Sequence, residues 1–256
     1  MRKRVLTMAI VMLLGTTAWG VQCASSTSDD KVALQAMTVA QLEKAGDECR
    51  AVKDYPQAIL YLQEWARRDW KNAIPYNKLG LAELKANRLE AARSDFARAA
   101  KLNRKYPEPL NNLGAVDYLE KNYASAARYF KKAVALDETR TTFHVNLGAA
   151  WFAQNEMERA IAEYRRALEL DPDALVKNSN AGVMAQISSA EERAKQDYML
   201  AKVYAKLGDL ESCLRCLEKA KENGARDLNK VYKEEEFSKL WSDPRLAKIV
   251  PLPVQK

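Results

Sequence analysis

Apolar residues recur along most of this chain at intervals of three and four, the period of a helix with one buried face. Glycines sit inside these apolar stretches, and Gly46, Gly80, Gly114 and Gly148 stand 34 residues apart. Other positions keep the same phase. Leu42, Tyr76, Leu110 and His144 lie four before the glycine, and Ala45, Leu79, Leu113 and Leu147 lie one before it. Ala58, Ala92, Ala126 and Ala160 lie twelve after it. Leu62, Phe96, Phe130 and Tyr164 lie sixteen after, and Trp65, Ala99, Ala133 and Ala167 nineteen after. This spacing predicts units of two antiparallel helices, turning at Asn87-Arg88, Lys121-Asn122 and Gln154-Asn155. Small residues let the two axes approach, and the larger side chain sixteen positions on is expected to fill the gap toward the next unit. Neither helix can bury its apolar face alone, so the units must stack. Pro75, Pro107, Pro109 and Pro172 fall between units or in a first helical turn, where a missing N–H is harmless.

On these positions the chain resembles the tetratricopeptide-repeat family, whose units have this length and this small-residue and aromatic pattern. The resemblance runs through residues 39 to 174 as four contiguous units. Asn146-Leu147-Gly148-Ala149-Ala150-Trp151, continuing through Ala160, Tyr164, Ala167 and Asp171-Pro172, is the closest match. The first unit departs most, with Trp65 where alanine is usual. The fold implied is all-α: a right-handed α-solenoid of about five helix pairs with a C-terminal helical cap.

Beyond Pro172 two registers compete. Gly182 continues the 34-residue interval, with Asn180, Ala194, Tyr198 and Ala201 in phase. A unit shifted by 19 residues instead uses Ala201, Tyr204, Gly208, Cys213, Leu217 and Ala220. Ser189-Ala190-Glu191-Glu192 is a capping-box signature for a helix running to about Leu207, and Gly208-Asp209 reads as the turn inside a pair. The second register is chosen, with a fifth unit at 194–227 and an insertion at 175–193. Val176, Val183, Ala185 and Ile187 in that insertion fit a hairpin or an irregular loop. Residues 228–256 form a closing segment, similar to a Phe-x-x-Leu-x-x-Asp-Pro-Arg ending in the family. Phe237, Leu240, Trp241 and Leu246 are expected to cover the last open face, with Ser242 or Asp243 capping the helix at Pro244.

The start of the chain has a different character. Arg2, Lys3 and Arg4 precede an apolar run from Val5 to Gly15, followed by Thr16-Thr17-Ala18-Trp19-Gly20. This is the layout of a secretory signal cleaved near Gly20, with 21–38 as linker. Gln22 before Cys23 argues against a lipid anchor. The apolar run is shorter than the roughly 18 to 20 residues of a spanning helix, so membrane contact is expected only if the segment is retained. An exported protein of the periplasm or cell exterior is the expectation. Of 41 basic residues against 34 acidic ones, a net +7, three basic groups lie in this segment. The mature chain keeps 38 against 34, or +4. A net charge this small, with its charges interspersed, argues against a nucleic-acid face.

Function is then sought on the inner surface, which in this family is lined by the first helix of each unit. Four after the glycine stand Arg50, Leu84, Tyr118 and Phe152; two before it stand Lys44, Lys78, Asn112 and Asn146. Lys78, Leu84, Asn112, Tyr118, Asn146 and Phe152 are therefore the candidate peptide-binding residues. Asn can hold both backbone groups of an extended peptide, and the apolar stripe can take side chains or a helix face. The resemblance adds that Asn at the places of Asn112 and Asn146 contacts ligand backbone in some members. The competing reading is that the two Asn bond neighbouring helices and that the aromatics pack. The family's charge clamp for a terminal carboxylate is disfavoured, because Glu43 and Asp47 occupy the corresponding places.

Other chemistry finds little material. Cys213 and Cys216 have redox-dithiol spacing, and export would permit a disulfide, but they fall inside a helix, away from the helix start that lowers a catalytic thiol pKa. With one His and four Cys, neither a metal site nor a cofactor is expected. His144 takes a packing slot with no nucleophile placed beside it, Glu234-Glu235-Glu236 is a solvated run, and no glycine-rich phosphate loop occurs. The sequence reading is a non-enzymatic, exported adaptor or scaffold that binds a protein or peptide. An envelope or pilus assembly factor is the alternative within binding. A thiol-disulfide oxidoreductase using Cys213 and Cys216 is the alternative of another class.

Overall fold

The computed structural model describes residues 34–175 and 189–252. The expected signal segment, the linker through residue 33 and the hairpin or loop at 176–188 lie outside the described residues. Within them the chain forms α1 (Val39–Ala51), α2 (Tyr55–Arg68), α3 (Ala73–Lys85), α4 (Leu89–Leu102), α5 (Pro107–Leu119), α6 (Tyr123–Leu136), α7 (Thr141–Ala153), α8 (Met157–Leu170), α9 (Ala190–Leu207) and α10 (Leu210–Glu222). Two short 3-10 segments, Leu228–Tyr232 and Glu235–Leu240, and α11 (Pro244–Ile249) close the chain. No strand occurs among the described residues.

Local chemistry sets the ends of these helices. Thr38 and Gln41 form a reciprocal capping box at α1, and Asp54, Asn72, Ser189, Asp209 and Asp243 each accept a backbone N–H in the first turn of the following helix. First helices end in a left-handed residue: Lys53, Asn87, Lys121 and Asn155 at φ 60 to 64°, and Gly208 at 83°. The next N–H then reaches back five residues, as from Asp54 to Cys49 O (2.8 Å) and from Asp209 to Tyr204 O (3.0 Å). In the third unit it is Lys121, rather than Asn122, that takes the left-handed conformation. The turn demands it at one fixed place, whatever the side chain.

The 34-residue phase becomes packing inside each pair. Leu62, Phe96, Phe130 and Tyr164 are fully buried against Gly46, Gly80, Gly114 and Gly148. In the fifth pair Ala201 and Leu217, both buried, hold these two places. The unusual Trp65 is accommodated: it is 3% exposed and packs with Leu42, Leu62, Leu79 and Ala82 between the first two units. From the third unit onward one continuous core runs through Val145, Leu147, Tyr164, Leu200, Leu217 and into the closing segment.

Phe237, Leu240 and Leu246 are completely buried there, joined by Val231 and Val250. Trp241 departs from expectation. It is 45% exposed, and its indole N–H donates to Val231 O at 2.7 Å, tying the two 3-10 segments together. Asp243, not Ser242, caps α11.

The pairs stack into a right-handed solenoid. Successive first helices pack against each other, α3 on α5 and α5 on α7, in addition to the contacts between consecutive helices. The first helices therefore line the tighter, concave side and the second helices the convex side.

Candidate peptide-binding face

Three of the six candidate residues turn out to couple neighbouring repeats. Lys78 Nζ donates to Glu43 Oε1 at 2.8 Å and Asp47 Oδ2 at 2.5 Å. It also lies 5.4 Å from the centre of the Trp65 ring. Burial alone would lower its pKa, but the hydrogen bonds and charges of Asp47 and Glu43 outweigh that and raise it. Asn112 Nδ2 donates to Asn77 Oδ1 at 2.9 Å, and Asn77 Nδ2 to the Tyr106 hydroxyl at 3.0 Å. Asn146 Nδ2 donates to Asn111 Oδ1 at 2.8 Å, and Asn111 Nδ2 to Asn112 Oδ1 at 3.5 Å. The result is a ladder of amides across three units. Each rung from Lys78, Asn112 and Asn146 reaches back 35 residues, so in the second, third and fourth units the same slot holds the unit before it.

The apolar stripe divides. Leu84 was expected in the groove, yet it is 6% exposed and packs with Ala92, Phe96, Leu113 and Val116. The third unit's first helix closes over it, so Leu84 is core. Tyr118 is half-buried, edge-on to Tyr123 at 5.1 Å between ring centres. Burial first, then Tyr123 and Glu192, push its phenol up to about 12. Glu192 belongs to α9, so the start of that helix reaches toward the face of the third unit.

Phe152 is half-buried and lines a 370 Å³ cleft with Ala194, Lys195 and Tyr198 of α9 and Gly224–Asp227 and Lys230 beyond α10. These fifth-unit residues were missed. Their signal was present, since Lys195 and Tyr198 occupy first-helix positions equivalent to Ile74 and Asn77 in the chosen register. Two further clefts occur elsewhere. One of 340 Å³ lies between Arg50, Tyr55, Leu81 and Lys85. Another, of 490 Å³, lies on the convex side over Val134, Leu147 and Trp151. Beside the latter, His144 is 5% exposed with Nδ1 at 2.7 Å from Glu163 Oε2 and Nε2 at 3.0 Å from Glu138 O. Glu163 is the main cause of its raised pKa.

Cys213 and Cys216 are buried and unbridged inside α10. Burial is the first cause that pushes both thiols up to about 12, which leaves almost no thiolate near neutral pH. They pack; they are not poised to attack. Among the described residues no three His, Cys, Asp or Glu side chains are grouped to hold a metal, and no helix is long and apolar enough to cross a membrane.

Sequence profiles of the tetratricopeptide repeat match residues 77–140, 117–187 and 198–223, together more than half of the chain. The protein belongs to the tetratricopeptide-repeat family. No curated protein sequence matches it. Among solved structures, MamA from Desulfovibrio magneticus RS-1 (residues 41 to the end) is 20% identical. The match covers 72% of this chain and 94% of that one, with a TM-score of 0.51. A crystal structure of a MamA protein is 18% identical over 77% of this chain and 95% of that one, also at 0.51. At this identity the likeness concerns the fold.

Proposed function

We propose that the protein is a non-enzymatic scaffold, exported from the cytoplasm, that holds a peptide or helix of a partner protein on its concave face. The observation that carries this reading is the Phe152 cleft, an apolar recess opening beside first helices already locked together by the amide ladder. A face held rigid in this way needs little reordering when a partner docks, so less of the contact energy is lost on binding. Export rests on the basic start, apolar run and small residues of the first 20 positions.

Site-specific photo-crosslinking in the producing cells tests the binding reading. A crosslinker at Lys85 or Ala153, at the concave edge of first helices, is expected to trap one discrete partner. The same group at Lys131 or Arg165, on second helices, is expected to trap none. Equal trapping from both sides would reject a concave-face scaffold. N-terminal sequencing of the recovered protein tests export: a start near Val21 supports it, and an intact Met1 rejects cleavage.

A further inference from the structure

We propose that the cleft at Phe152 is the anchor of this binding face, and that it takes a large apolar side chain carried on an acidic segment of the partner protein. The inference rests on the scaffold reading and adds to it a place and a chemistry. Phe152 projects from α7, Ala194 and Tyr198 from α9, and the Gly224–Ala225 turn closes the far side. A volume of 370 Å³ falls at the low end of the roughly 300 to 1,000 Å³ typical of ligand pockets.

One wall is set in place by the closing segment. The Tyr198 hydroxyl donates to Glu234 at 2.8 Å, and its ring packs on Phe237 at 5.8 Å between centres. Lys202 on the same helix adds ion pairs to Glu234 at 3.1 Å and Glu236 at 3.5 Å. The segment that caps the solenoid therefore also orients the aromatic wall of the cleft.

The rim carries Lys195, Arg226 and Lys230 against Glu191 and Asp227. Lys195 meets Glu191 at 2.8 Å with side chains 70% and 69% exposed, and Lys230 meets Asp227 at 3.7 Å. Exposed pairs of this kind are weak, so a partner carboxylate can replace either acid. Arg226 is exposed and makes no ion pair among the described residues. At the other end of the solenoid Lys78 is held by Glu43 and Asp47, and Arg50 by Asp47 at 2.9 Å, while Lys85 stays exposed without an ion pair among the described residues. Three cations against two acids thus give the rim of the apolar recess a net positive charge.

The test uses the full chain and a phage-displayed random dodecapeptide library, followed by fluorescence polarisation with the enriched peptides. The expected consensus is one Phe, Trp or Leu flanked by Asp or Glu. Arg226→Glu with Lys230→Glu should weaken binding by about tenfold or more and reduce its salt dependence, leaving the melting temperature unchanged. Phe152→Ala should weaken binding at least as much. Lys131→Glu with Arg165→Glu, on the convex side, should have no effect. If Phe152→Ala does not fold, the charge-reversed variant and the salt series still decide. Enriched peptides that ignore the rim substitutions, or that carry basic residues, would overturn this inference while leaving the scaffold reading intact. A library that yields no specific peptide would overturn both.

Discussion

A methyl group placed on Gly114 would stand 2.6 Å from Cε1 of Phe130, whose ring is completely buried. Gly80 and Phe96 repeat the relationship at 2.7 Å, and Gly148 and Tyr164 at 2.8 Å. Gly114→Ala is therefore expected to destabilise the fold by about 1 to 3 kcal/mol through overpacking, reduced by roughly 1 kcal/mol of better helix propensity. Adding Phe130→Leu should recover part of the loss, because Ala201 and Leu217 already share these places in the fifth pair. Urea midpoints of the two single variants and the double variant give the coupling; strict additivity would disprove the size relationship.

Tyr164 brings a hydroxyl where Phe96 and Phe130 have none. That oxygen is buried without a hydrogen-bond partner, and burial raises its pKa well above the ordinary phenol value. Tyr164→Phe removes an unsatisfied group whose burial costs on the order of 1 to 3 kcal/mol, so the variant should melt higher than the parent. A lower melting temperature would mean that the hydroxyl has a partner after all.

Asn146 is 1% exposed and ties the fourth unit to Asn111 of the third. Asn146→Ala should cost about 1 to 3 kcal/mol, because it leaves the buried Asn111 carbonyl short of a donor. Binding by the folded fraction should survive. Calorimetric melting paired with peptide titration separates these outcomes, and lost affinity at unchanged stability would restore Asn146 as a ligand contact.

Two buried groups make stability fall as pH rises. Glu83 is 4% exposed, and burial, reinforced by the adjoining Asp95 carboxyl, raises its pKa from 4.5 to about 8. His144 is raised from 6.5, first by its bond to Glu163. In both cases the native state binds more protons than the unfolded chain, so the slope of stability against pH is negative. The contribution of Glu83 is complete below pH 4.5 and is lost as pH rises through its folded pKa; that of His144 is complete below 6.5 and is lost likewise. Urea midpoints should drop between about pH 5.5 and 8.5, and Glu83→Gln should flatten the drop. The single histidine can be titrated directly by NMR, where an unshifted pKa would contradict the His144–Glu163 bond.

The thiols provide a check on the discarded redox chemistry. Cys213 and Cys216, both pushed up to about 12 mainly by burial, should react with a thiol reagent orders of magnitude more slowly in the native protein than in denaturant. Prompt native labelling, or reductase activity lost in Cys213→Ala with Cys216→Ala, would reopen the oxidoreductase alternative.

The helix pairs and their 34-residue interval were legible in the sequence because they act within a unit, where helical period and a short turn bring residues together; that each aromatic closes on the glycine of its own unit was not. Also legible were the N-cap at Ser189 and the turn at Gly208, which are chemistry between near neighbours in the chain. Relations between units were not legible. Leu84, Tyr118 and Phe152 share one slot in the repeat, yet Leu84 is core, Tyr118 lies against Tyr123, and Phe152 lines a cleft. Leu113 and Val116 of the next unit help to cover Leu84, and the fifth unit faces Phe152. Asn112 and Asn146 look like ligand contacts along the chain, and only the stacking of one first helix on another brings Asn77 and Asn111 within bonding distance. Periodicity determined what each unit is made of. The tertiary structure decided which residues remain to meet a partner, because exposure belongs to the stack as a whole.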